Sequence, residues 1–300
     1  MGLSQAIMII SIRQISLCSF ILLSGCSILP EWFRPISNEP KDSIYPSPLG
    51  EPGNKSQYKK NKAPLIQPVA PLLHEPTNLK LPIISDINQS LCKTKIGVGK
   101  EIAAIADPSN FDNRLTVDQW GRSIAHTPKL IVLHETVLNE KETINLFKTQ
   151  HLRDQDQASY HLLVTRDGSL LRVVPDSERA FGAGMSAFGD VTQRTKNGSV
   201  GSINNISLHI SLVSPEDGRD DRAAHSGYTD LQYKSLAQQV LLWQAKFGIP
   251  LTRVTTHAAV DRSHSRYDPR SFRWDRFDLY YKEFASICSL EYLDNGLASF

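Results

Sequence analysis

Residues 129–136, "KLIVLHET", set Leu130, Ile131, Val132 and Leu133 in an unbroken run directly before a histidine and a glutamate. A half-exposed strand would alternate and a helix would run longer, so this pattern predicts a strand covered on both faces, as in a parallel sheet with a layer on either side. Such sheets open into clefts at the C-terminal ends of their strands, where His134 and Glu135 fall. Neighbouring segments agree. "EKETINLFKTQ" has Ile144 and Phe147 at helical spacing, and "SYHLLV" and "LLRVV" are joined by Arg166-Asp167-Gly168-Ser169, whose Asp-Gly step signals a hairpin. "NISLHISLV" alternates, which predicts Ile206, Leu208, Ile210 and Leu212 on a core face and Ser207, His209 and Ser211 on a polar one. Thr229 and Gln232 spell a capping box before an apolar stripe of Leu236, Val240, Trp243 and Phe247, which Gly248 and Pro250 end. "LTRVTT" reads as a short strand and Trp274 to Ile287 as a closing helix. The expected fold is therefore α/β: a single domain over residues 91–290 with a central mixed β-sheet flanked by helices, followed by a tail at 291–300.

The segment before this domain has a different character. Arg13 precedes "ISLCSFILL", too short to span a bilayer but long enough for the apolar part of a signal peptide. It leads into Leu23-Ser24-Gly25-Cys26, which resembles a bacterial lipobox and predicts a signal peptide at 1–25 and acylation of Cys26. The protein would then be anchored to a membrane by lipid, in the periplasm, with the outer membrane as its expected site. Eleven of the 17 prolines fall between Pro30 and Pro82, so residues 26–90 read as a proline-stiffened tether. Cys18 leaves with the signal peptide. Cys92 and Cys288 remain, either as a disulfide in an oxidising compartment or as two unrelated thiols. A net charge of +2, with basic residues scattered rather than striped, excludes a nucleic-acid interface and describes an ordinary surface, expected to be monomeric.

Chemistry concentrates in residues 256–272, "THAAVDRSHSRYDPRSF", which hold His257, Asp261, His264 and Asp268 together with Arg262, Arg266 and Arg270. From residue types alone any of these acids and histidines could join His134 in a metal site.

With "IVLHET", "SYHLLVTRDGSLLRVVP", "AFGAGMSAFG", "NNISLHISLV", "YTDLQYKSLAQQV", "THAAVDRS" and "RYDPRSF" in this order, the chain resembles the zinc-dependent N-acetylmuramoyl-L-alanine amidases of the amidase_2 type, relatives of phage lysozyme-type amidases and peptidoglycan recognition proteins. The resemblance covers roughly residues 115–280. It implies peptidoglycan or muropeptides as substrate and Zn2+ as cofactor, with His134, His257 and Asp268 as ligands and Asp261 and His264 as alternatives for the third. Two imidazoles and a carboxylate leave zinc a fourth position for water, whose pKa falls to about 7 there. Tyr160 is implied as a polarising group and Arg266, where the family usually has Lys, as the cation facing the oxyanion. The chain also departs from the family. Ser211 stands where many members carry a catalytic Glu, and Gly182 where they carry a His. His209 is a candidate general acid or a hydrogen-bonded structural histidine; Glu135 could act as a base, but strand alternation points it away from His134. A muropeptide-recognition protein that does not cut, and a structural lipoprotein, are the rival functions.

Overall fold

The computed structural model describes residues 92–288; the predicted signal peptide, Cys26, the whole of the tether and the tail lie outside them. Strands β1 (Ile102–Ala103), β2 (Phe111–Asn113) and β3 (Leu130–Glu135) precede helix α1 (Glu140–Lys148). Strands β4 (Leu162–Val164), β5 (Leu170–Arg172), β6 (Glu178–Ala180) and β7 (Ser207–Leu212) follow, then α2 (Asp230–Phe247), β8 (Val254–Thr256), the single-turn α3 (His257–Val260) and α4 (Trp274–Ile287). Six strands make one sheet in the order β1-β5-β4-β7-β3-β8, and β2 and β6 pair separately. β3 is central, parallel to both β7 and β8, and all six of its residues are buried. The apolar run is thus explained by its place in the sheet. β4 continues the parallel set beside β7, whereas β5 turns back antiparallel through the Asp-Gly hairpin, so the sheet is mixed. Gly168 takes φ +83° in that turn and packs its α-carbon against Leu231, a place with no room for a side chain.

Alternation along β3 and β7 sorts side chains onto two faces. Ile131, Leu133, Leu208, Ile210 and Leu212 pack under α2 and α4, together with Leu236, Val240, Trp243, Phe277, Tyr281 and Phe284. The Thr229–Gln232 capping box forms at the start of α2, and Gly248 closes the helix in the left-handed region. Ile206 departs from its expected place. It belongs to a 3-10 turn before β7 and packs with Leu130, Val132, Ala183 and Val260 on the opposite face. On that opposite face α1 delivers Phe147 against Tyr160, Leu163, Leu171 and Val173. The polar side chains of β7, Ser207, His209 and Ser211, are buried there as well rather than facing solvent. A disulfide joins Cys92 to Cys288, tying the first described residues to the end of α4.

Candidate metal centre

The register of the three central parallel strands builds the site. His134 lies opposite Ser211 on β7, and Leu133 opposite Thr256 on β8, so the residue after each, His134 and His257, are neighbours at the C-terminal ends of adjacent strands. Thr256 caps α3 by accepting the Ala259 amide, which starts the helical turn at His257. The imidazole rings of His134 and His257 stand 4.7 Å apart, nearly edge to face. Asp268 arrives from the following loop, held by the Ala258 amide donating to its carbonyl at 3.0 Å. Its Oδ2 lies 3.1 Å from His134 Nδ1 and 3.2 Å from His257 Nδ1. These three are the group of buried histidines and carboxylates, among the described residues, whose ligand atoms all lie within 4.8 Å of one another.

The electrostatics suit a cation. Burial lowers the His134 pKa to about 4, so its ring is neutral at neutral pH and offers a lone pair. Burial also opposes the charge on Asp268, but His257 and His134 outweigh it and hold the carboxyl well below its ordinary range. Two imidazole nitrogens turned toward one ionised carboxylate oxygen are a donor set that fits zinc with a position left open.

Neither alternative for the third ligand joins this group. Asp261 accepts from Ser263 N, Ser263 Oγ, Ser265 N and Arg266 N, at 2.6 to 2.9 Å, and so folds the loop that carries Arg266. His264 is exposed on the same loop. Arg266 and His257 line a cleft together with Gly182, Phe181, Arg179 and Lys196. Tyr160 is buried with its ring stacked on His134 at 4.4 Å. Ser211 is buried beside His134 and its Oγ has no hydrogen-bond partner among the described residues.

His209 does not sit where a proton donor to a leaving group would. Its side chain is fully buried and places Nδ1 2.9 Å from His134 Nε2. Burial first, then the neighbouring His134 and His161, push its pKa well below the ordinary value, so the ring is neutral at neutral pH and is not the imidazolium a general acid needs. Glu135 points to the other face, as alternation expects. There it is fixed by Arg270 Nε at 2.6 Å, by His225 Nε2 at 2.9 Å and by the Tyr228 hydroxyl, which donates at 3.0 Å. Arg270 also donates to the carbonyls of Asp220, Arg222 and Gly218. Sequence reasoning did not find this cluster; its only local signal was an acidic residue beside an apolar run.

Residues 125–271 match the family model Amidase_2, N-acetylmuramoyl-L-alanine amidase. This segment is an Amidase_2 domain. The 1,6-anhydro-N-acetylmuramyl-L-alanine amidase AmpD of Citrobacter freundii is 29% identical to the chain over 127 residues, which are 42% of this chain and 57% of that relative, so the match spans little more than half of the relative's length. Among solved structures, a selenomethionine derivative of AmpD aligns over 62% of this chain and 97% of its own at 20% identity and a TM-score of 0.44. The Pseudomonas aeruginosa AMPDH3, solved in complex with anhydromuramic pentapeptide, aligns over 51% and 59% at 19% identity and a TM-score of 0.39. In the Amidase_2 domain of this chain the two histidines and the aspartate of the centre all lie inside the matched segment.

Proposed function

We propose that this protein hydrolyses the amide bond between the lactyl group of N-acetylmuramic acid and L-alanine, in peptidoglycan or in muropeptides released from it, with one zinc ion held by His134, His257 and Asp268. The observation that carries this reading is the convergence of those three buried donors, one of which, His257, lines a cleft, within a segment that matches the amidase family. Bound there, zinc would polarise the scissile carbonyl and activate water at neutral pH. The chain's own residues supply the rest. Asp268 remains ionised and neutral His134 keeps a lone pair for the metal. Arg266, at the cleft wall beside His257, is the cation for the developing oxyanion; a guanidinium holds its proton, so it stabilises charge without exchanging it. Tyr160, stacked on His134, is proposed as the second oxyanion partner.

A second reading, recognition of muropeptides without cleavage, is favoured by one feature, the buried Ser211 where many relatives carry a carboxylate. Incubating the full chain with purified muropeptides separates the two: zinc-dependent appearance of a free L-alanine amino terminus supports hydrolysis, whereas binding without product in the zinc-loaded protein overturns it. The protein is further proposed to act as a monomer in the periplasm, anchored to the outer membrane through acylated Cys26. Labelling by a fatty-acid analogue that persists in Cys26→Ser would rule that anchor out.

A further inference from the structure

His134 has two ring nitrogens, and the structure commits them differently. Nδ1 faces Asp268, and Nε2 faces His209 Nδ1 at 2.9 Å. For Nδ1 to give a lone pair to a metal, the single proton of the neutral ring must reside on Nε2, and a buried N–H needs an acceptor. His209 Nδ1 is the atom in place to accept it. The ring that carries this acceptor is held from several sides. Its backbone amide donates to His161 Nδ1 at 2.9 Å, and the two rings lie 5.8 Å apart and within 10° of parallel. Because His161 Nδ1 is an acceptor, its proton sits on Nε2, which donates to the Glu178 carbonyl at 3.1 Å. The remaining side of the His209 ring is closed by Gly182. A β-carbon built there would stand 2.8 Å from His209 Nδ1 and 2.9 Å from Cγ, closer than real contacts allow. Gly182 has no positive φ to account for its identity, so space is what the position requires. His209 Nε2, buried, finds no hydrogen-bond partner among the described residues, so the bond to His134 is the one that orients the ring.

We propose that His209 is a positioning residue that sets the metal-binding tautomer of His134 by accepting its Nε2–H, and that Gly182 is needed because it leaves room for the His209 ring. This rests on the zinc site of the proposed function. Protons are conserved in the exchange: in the metal-free rings His134 Nδ1–H faces Asp268 and His209 Nδ1–H donates to His134 Nε2, and when His134 Nδ1 takes the metal each ring's single proton is carried on its own Nε2.

The test is the zinc affinity of the full chain, measured by competition with a chelator. His209→Leu, which removes the acceptor, should weaken zinc binding about 10- to 100-fold. His209→Asn places an oxygen near the position of Nδ1 and should stay within about three-fold of the parent. Gly182→Ala should show a loss on the scale of His209→Leu, and adding it to His209→Leu should weaken binding no further, because the clash it causes is with the missing ring. Equal zinc affinity in His209→Leu and the parent, or an additive effect of Gly182→Ala, would overturn the proposal. If the substitutions unfold the chain, the parent protein still decides: nitrogen-15 spectra of the zinc-loaded form should show scalar coupling from His134 Nε2 to His209 Nδ1 with the proton on His134, and a proton on His209 Nδ1 would contradict it. Failure of the parent to bind zinc at all would instead strike the proposed function.

Discussion

Asp268 and Asp261 sit on one loop and use their oxygens for different ends. Asp268 turns its carboxylate to two imidazoles, and Asp261 spends all its acceptor capacity on Ser263, Ser265 and Arg266. Asp268→Ala should therefore lose zinc and turnover together. Asp261→Ala should keep one zinc per chain but slow turnover on the order of 10- to 100-fold, because the loop that places Arg266 loses its internal bonds. Mass spectrometry for metal and a peptide-release assay check both, and zinc lost from Asp261→Ala but kept in Asp268→Ala would reverse the assignment. The sequence left these acids as alternatives for a physical reason. Both lie in an arginine-rich loop without periodicity, and only the fold shows which one turns back to the strand ends. His134 and His257 were legible because an apolar run or a short strand ends at each. His209 was legible as buried-face or polar-face only; alternation fixed its side of the sheet, and its neighbour on that side came from Gly182, distant in sequence.

At the scale of elements, β3 carries function on one face and fastening on the other. His134 points to the metal centre and Glu135 to Arg270, so the ion pair of Glu135 with Arg270 links the strand that holds one ligand to the loop that holds another. Both side chains are buried, and breaking one member of such a pair leaves a charge without compensation, at a cost of about 3–5 kcal/mol. Glu135→Gln should lower unfolding stability by that amount in a urea titration. A change under about 1 kcal/mol would mean that the pair does not hold the loop. Replacing both residues by apolar ones would not restore the parent, because Arg270 also satisfies the carbonyls of Gly218, Asp220 and Arg222. The order of strands and helices was readable from hydrophobic period, hairpin and cap signals. The cluster of Glu135, Arg270, His225 and Tyr228 was not, since it forms between segments that approach only after the sheet assembles.

For the whole domain, the disulfide between Cys92 and Cys288 closes a loop of 196 residues. On the chain-entropy model such a closure restrains the unfolded chain by about 5 kcal/mol, so Cys92→Ser should lower the unfolding midpoint markedly while leaving the metal ligands in place. Equal stability of that variant and the oxidised parent would show the bridge to be incidental. Neither cysteine belongs to the metal-binding group, so the variant should bind zinc where it remains folded. The central claim is that three buried side chains hold a zinc ion that this chain uses for amide hydrolysis. It is tested most directly by measuring zinc content and release of stem peptide from purified muropeptide on the same preparations of the parent, His134→Ala and His257→Ala. The parent should hold one zinc and release peptide with a free L-alanine amino terminus, and the two variants should do neither. Peptide release at the parent rate by either variant after zinc has been removed would contradict it.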